Sequence, residues 1–177
     1  AYVYQRVGSI WSQQAYLKAS NANAADAFGT SVAVSADTVA VGAPFEQSNQ
    51  STITNGSAAS SDNSDPRDGA TYVFRRTTGQ WAQQAYIKAS NRAISGNFGG
   101  SVGLAGDTLV VGAVADMSQQ TTITNGSTAS LDPVIDGAGA AYVYRRLGLN
   151  WYQEAYIKAS NATIVANFGK AVAISAE

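Results

Sequence analysis

The side chains able to do chemistry in this sequence are oxygen donors and cations, because histidine and cysteine are both absent. Their absence removes Ser-His-Asp and Cys-His nucleophile systems, imidazole and thiolate metal sites, disulfides and a histidine pH switch. The densest carboxylate group is Asp62-Asn-Ser-Asp65-Pro-Arg-Asp68-Gly69. A calcium loop needs several oxygen ligands converging on one ion, typically from Asp or Asn at alternate positions. Here the acids stand three apart, and the counterpart Asp132-Pro-Val-Ile-Asp136-Gly137 keeps only Asp132 in register with Asp62. The segment therefore reads as turn-forming aspartate. No metal site and no cofactor are expected, with Asp62, Asp65 and Asp68 the candidates should calcium bind.

The cations are also placed periodically. Arg75-Arg76 and Arg145-Arg146, with Arg6, put one arginine on each face of a strand, which suits solvation or pairing with a neighbour's carboxylate or carbonyl. Lys18, Lys88 and Lys158 share a face with Tyr16, Tyr86 and Tyr156, as expected of a lysine stem packed over an aromatic ring. No convergent acid pair of the glycoside-hydrolysis kind is evident, so no catalytic residue and no enzyme activity are expected. Asn49, Asn55, Asn125 and Asn161 open Asn-x-Ser/Thr triplets, the acceptor pattern for N-glycosylation in a secreted protein.

Composition narrows the partners. Charged residues make up 13% of the chain, the formal net charge is -1, and Lys and Arg do not gather in one block. A nucleic-acid or anionic-membrane surface is therefore not expected. No apolar run is long enough to span a bilayer and no segment reads as a signal peptide. Hydrophobic content of 45% suffices for a packed core. The abundance of Ala, Ser, Thr, Asn, Gln and Gly is a balance common in secreted or surface-displayed bacterial β proteins.

The elements that must position these residues follow from a repeat. Trp11, Trp81 and Trp151 stand 70 apart, as do Phe28, Phe98 and Phe168, and Tyr2, Tyr72 and Tyr142. From Trp11 to Asn21, eight of eleven positions are identical in all three copies. Each unit reads as four strands. Phe98 to Ala105 turns through Gly106-Asp107 into Thr108 to Ala113, matched by Phe28 to Ser35 and Thr38 to Ala43. A third strand, Ala70 to Arg76 or Ala141 to Arg146, leads through a turn at Gly79 or Gly148 to the Trp-led fourth. In the second strand both alternating sets are apolar or small, as in a strand covered on two faces, whereas the fourth alternates and reads as more solvated. That gradient is what radially stacked sheets produce. Two long polar loops, Phe45 to Asp68 and Ala115 to Ala138, separate the second and third strands. Within them Thr52 to Ser57 and Thr122 to Ser127 are identical, which suggests an ordered turn at Asn-Gly.

Phe28-Gly29, Val41-Gly42-Ala43-Pro44 and Gly69-Ala70-Thr71-Tyr72-Val73-Phe74, in that order, resemble the FG-GAP repeat of integrin α-subunit propellers and of bacterial secreted or surface proteins. Val114 departs from the pattern, standing where the first copy has Pro44. The resemblance implies an all-β chain of β-propeller blades, each a four-stranded antiparallel meander, with Phe28, Phe98 and Phe168 packed between blades. The expected organisation is a partial blade over 1–27 with third and fourth strands, FG-GAP repeats over 28–97 and 98–167, and the first strand of a further blade over 168–177. About two and a half repeats, eleven strands, do not close a propeller within the chain. The expected function is non-enzymatic adhesion or binding, outside the cell or on its surface, through the long polar loops to a protein or glycan. The alternative is a structural subunit of an extracellular fibre or surface assembly, in which further copies of the chain complete one another's blades.

Overall fold

The computed structural model describes residues 1–64, 68–91, 96–132 and 136–176. Among them are twelve strands and no helix: β1 (Tyr2–Val7), β2 (Ile10–Tyr16), β3 (Ser31–Ser35), β4 (Thr38–Ala43), β5 (Ile53–Asn55), β6 (Ala70–Thr77), β7 (Gln80–Ile87), β8 (Phe98–Ala105), β9 (Thr108–Ala113), β10 (Ile123–Asn125), β11 (Ala140–Leu147) and β12 (Asn150–Ile157). They form a two-stranded sheet, β1-β2, and two five-stranded sheets ordered β3-β4-β6-β7-β5 and β8-β9-β11-β12-β10. Every ladder is antiparallel, so each unit is a meander from inner to outer strand. The architecture is all-β, in blades that do not close on themselves.

The burial gradient follows the residue types. All six residues of β4 are buried, whereas β7 starts exposed at Gln80 and becomes buried from Ala85 onward. The β3–β4 and β8–β9 hairpins turn through a residue with positive φ, Ala36 (48°) and Gly106 (55°), the backbone sense that matches the twist of paired strands.

Two features differ from the sequence expectation. Ile53–Asn55 and Ile123–Asn125 are not turns alone but a fifth strand in each unit, paired with β7 and β12. Their Ile-Thr sequence is β-prone but only three residues long, too short for a periodicity signal; the open outer edge of β7 supplies its partner. Conversely, 168–176 makes one parallel bridge, Phe168 to Gly139, and no ladder. In the complete units that strand type pairs with a second strand, β4 or β9.

A bulge recurs in the same place of every third-to-fourth strand pair. Val73 faces Ala85 while Phe74 faces Gln83, so Gln84 is the extra residue; the same slip leaves Gln14 and Glu154 unpaired in their units. A bulge re-aims the side chain it carries, and it also ends the simple alternation of the fourth strand.

Two apolar cores lie between sheets. One joins Ala40, Val73, Ala85 and Ile87 of the first complete blade to Phe98, Val102, Leu109, Tyr142 and Trp151 of the second. The other joins Leu17 and Ala19 to Val39, Val41, Tyr72, Phe74 and Tyr86. Phe98 is fully buried and meets Tyr142 and Tyr144 edge-on, with centroids 5.3 and 6.1 Å away. Close approach of the backbones sets the stacking: Ser31 Oγ donates to Gly99 O at 2.7 Å, and a Cβ on Gly42 would lie 1.9 Å from that same oxygen. Glycine is required there for steric reasons alone.

Candidate functional site

Each long loop rises from a buried carboxylate. In the second blade Asp116 is 1% exposed and accepts from Lys158 Nζ at 3.0 Å, Tyr156 Oη at 2.9 Å, Tyr142 Oη at 3.0 Å and the Ser118 amide at 3.0 Å. Asn91, from the preceding blade, donates Nδ2 to Asp116 at 3.1 Å and to Ser130 O in mid-loop at 2.7 Å, and accepts from the Tyr142 hydroxyl. The first blade repeats the arrangement with Glu46. Lys88 Nζ lies 2.8 Å from Glu46 Oε2, the Ser48 amide donates to the same oxygen, and Asn21 Nδ2 donates to Glu46 Oε1 and to Ser60 O. Gly69 N to Glu46 O and Gly139 N to Asp116 O then tie the far end of each loop to its start.

The electrostatics of these centres follow from desolvation. Burial raises the hydroxyls of Tyr72, Tyr86, Tyr142, Tyr144 and Tyr156 well above the ordinary phenol range, and the Glu46 or Asp116 charge adds to this for all but Tyr144. Tyr72, Tyr142, Tyr144 and Tyr156 act as donors, not as acids. Burial also raises the Asp26 carboxyl, against the opposing pull of the Asn23 N–H, which donates at 2.9 Å. Charged groups this far from water persist only when paired and hydrogen-bonded, which is what the lysine, asparagine, tyrosines and loop amides supply.

Above this base the loops are braced locally and exposed. Asp62 accepts from the Asn49 amide at 2.9 Å and from Ser64 Oγ at 3.0 Å, and those bonds hold its carboxyl below the usual carboxylate range. Gln119 donates to Asp132 at the matching place, and Gln50 and Gln120 each reach Oγ1 of Thr54 and Thr124 at 2.7 Å. Polar side chains from Ser51 to Asn63 and from Thr121 to Asp132 are mostly exposed.

The residues singled out from sequence are dispersed. Asp62 is on the exposed loop arm, Asp68 is buried at the foot of β6, and Asp65 lies outside the described residues. Among the described residues no three Asp or Glu gather where a metal could sit. Asn49, Asn125 and Asn161 are exposed. Asn55 is clamped onto the next blade: its Oδ1 accepts from the Trp151 amide at 2.8 Å and its Nδ2 faces Trp151 O at 3.3 Å.

The arginines behave as expected and go further. Arg76 pairs with Asp37 at 2.6 Å, and Arg146 pairs with Asp107. Arg146 also donates to Thr38 Oγ1 at 3.0 Å and to the bulged Gln84, whose Oε1 accepts from Trp151 Nε1 at 3.1 Å. Lysine is where the sequence reading fails. Lys18 lies 5.7 Å over the Tyr16 ring, as expected, but Lys88 and Lys158 are buried ion-pair partners. Glu46 and Asp116, 70 apart and each 42 residues before one of these lysines, were the available signal.

No helix of the described residues is long and apolar enough to cross a membrane. A family model described as the FG-GAP repeat matches residues 11–58 and 81–144, more than half of the chain. A search of curated proteins found no match.

Proposed function

The chain belongs to the FG-GAP repeat family, and from that membership we propose that it is a non-enzymatic, extracellular or surface-displayed binding module whose two long loops contact a protein or glycan ligand. FG-GAP repeats occur in extracellular proteins that adhere and bind. The observation that carries the reading is the contrast within each loop. Its base is held by a buried ion pair, Glu46 with Lys88 or Asp116 with Lys158, while its upper part presents exposed Ser, Thr, Asn and Gln. Polar recognition loops on a rigid scaffold are the usual way such a division is used, because binding needs adaptable contacts and little ordering cost.

The test is a side-chain exchange in the loops. Exposed side chains away from the fifth strand, Ser51, Thr52 and Ser57 with Thr121, Thr122 and Ser127, are exchanged for glutamate, and both chains are applied to glycan and protein arrays with and without calcium. Ligands bound by the parent and lost by the exchanged chain, at unchanged melting temperature, support the reading. An array on which the parent binds nothing in either condition sinks it.

A second reading, self-association through shared blades, is favoured by the face of β1 and β2, where Tyr2, Tyr4, Trp11 and Tyr16 are each more than half exposed. Aromatic residues contiguous in this way mark contact surfaces.

A further inference from the structure

The buried centre of the second blade holds an amine and a primary amide on the two oxygens of one carboxylate. From this we infer that it is a self-modification site, in which Lys158 Nζ forms an amide bond with Asn91 Cγ in the folded chain and ammonia is released. The product is a covalent staple between successive blades, made without a cofactor or a second protein.

Asp116 sets the geometry. Its Oδ1 accepts from Lys158 Nζ at 3.0 Å and its Oδ2 from Asn91 Nδ2 at 3.1 Å, so amine and amide lie side by side across one carboxylate. Rotation about the terminal bonds of the lysine carries Nζ from Oδ1 toward Cγ. Tyr142 donates to Asn91 Oδ1, the oxygen that turns negative when an amine attacks, and burial keeps that hydroxyl protonated. Tyr156 Oη at 2.9 Å and the Ser118 amide at 3.0 Å fix Asp116, while Ser130 O at 2.7 Å fixes the Asn91 amide. Groups held this way react as parts of one molecule, with the entropy of their meeting already spent in folding. Lys158, Asn91, Asp116 and Tyr142 are each no more than 4% exposed, so water does not compete with the amine for the amide.

The step balances within the centre. Asp116 takes a proton from the Lys158 ammonium, which frees the Nζ lone pair to attack Asn91 Cγ. The Nζ–Cγ bond forms, Oδ1 carries the developing charge against the Tyr142 hydroxyl, and the Cγ–Nδ2 bond then breaks. Of the three ammonium protons, one stays on the new amide, one passes through Asp116 to Nδ2 and leaves with it as ammonia, and one remains on Asp116. A buried ion pair thereby becomes an amide beside a neutral acid, and no charge is left in a dry site. The ion pair and hydrogen bonds described above belong to the open form, and the bond adds a covalent restraint to what they contribute. The first blade repeats the roles in Lys88, Glu46, Asn21 and Tyr72, but Asn21 is only half-buried, so the fully buried second centre is the one assigned the bond. Tension along the closed chain passes from Asn91 straight to Lys158 and bypasses β8 to β12, which lie between them in sequence.

The test is the intact mass of the folded 177-residue chain, followed by denaturation, trypsin digestion and fragment sequencing by mass spectrometry. The chain is expected to be lighter than its sequence by an ammonia at this site. Lys158 is expected to resist trypsin, and the peptide Ala89-Ser-Asn-Arg92 to be joined to residues 147–170. Asn91→Ala, which keeps the ion pair, and Lys158→Arg, which keeps the charge but not the nucleophile, are expected to lose the joined peptide completely. A folded parent at its full sequence mass overturns the inference. So does a loss of ammonia that persists in Asn91→Ala or leaves Lys158 open to trypsin. A loss of water in place of ammonia also overturns it, because that places the bond on Asp116.

Discussion

Lys88 Nζ lies 2.8 Å from Glu46 Oε2 with both side chains 1% exposed, joining the end of a blade's outermost long strand to the foot of its long loop. Removing the lysine leaves a carboxylate in a dry site. Lys88→Met is therefore expected to lose about 3–5 kcal/mol of stability, and adding Glu46→Gln to recover most of it, because a neutral pair has no charge to desolvate. Denaturant melts of the two variants decide this; equal stability for both would show that the pair is not closed off from water.

The asparagine that ends each Trp-led segment offers an internal control. Asn91 is buried on Asp116 and Ser130, whereas Asn161, identical in sequence context, is exposed. Asn91→Ala should cost about 1–3 kcal/mol for the acceptors it orphans, and Asn161→Ala should stay within about 0.5 kcal/mol. Matching losses in thermal melts would refute the cross-blade role.

Blade spacing is set by glycine at one contact. A Cβ on Gly42 would stand 1.9 Å from Gly99 O, a backbone atom that cannot swing aside, while one on Gly103 would meet Ala173 at an ordinary 3.5 Å. Gly42→Ala is expected to destabilise by about 3 kcal/mol or more and Gly103→Ala by less than about 1 kcal/mol. Calorimetry that ranks them the other way would contradict the stacking described.

Alkali should unfold the protein steeply. In the unfolded chain tyrosines ionise near pH 10, while burial holds Tyr72, Tyr86, Tyr142, Tyr144 and Tyr156 protonated well above that. Their contribution is complete below the unfolded value and is lost as pH rises past it, at about 1.4 kcal/mol per pH unit for each tyrosine. Phenolate absorbance from these five and loss of the β circular-dichroism signal should therefore appear together. Five phenolates formed while the circular dichroism is still native would disprove their burial.

The blade architecture was legible because the same residues return every 70 positions, so each strand was seen at least twice. The loop's fifth strand was not, since Ile53–Asn55 is too short for alternation to register and is defined by the edge it joins. Lys88 was misread for a related reason. Alternation along the Trp-led strand implied a solvated face, but the bulge at Gln84 breaks that alternation, and every position from Ala85 to Lys88 is buried. Glu46 and its repeat partner Asp116 differ in type, so the recurring buried carboxylate is not a recurring residue.

The Asn91-to-Asp116 tie has a consequence for how such chains change length over generations. Each buried carboxylate draws its lysine from its own unit and its asparagine from the unit before. A duplication or deletion of 70 codons preserves every one of these ties wherever its breakpoints fall. A slip of another length within the strands shifts the asparagine or the lysine relative to its carboxylate, whereas a change of length in the exposed loop is tolerated. Recombination in whole units of 70 therefore leaves these buried centres intact.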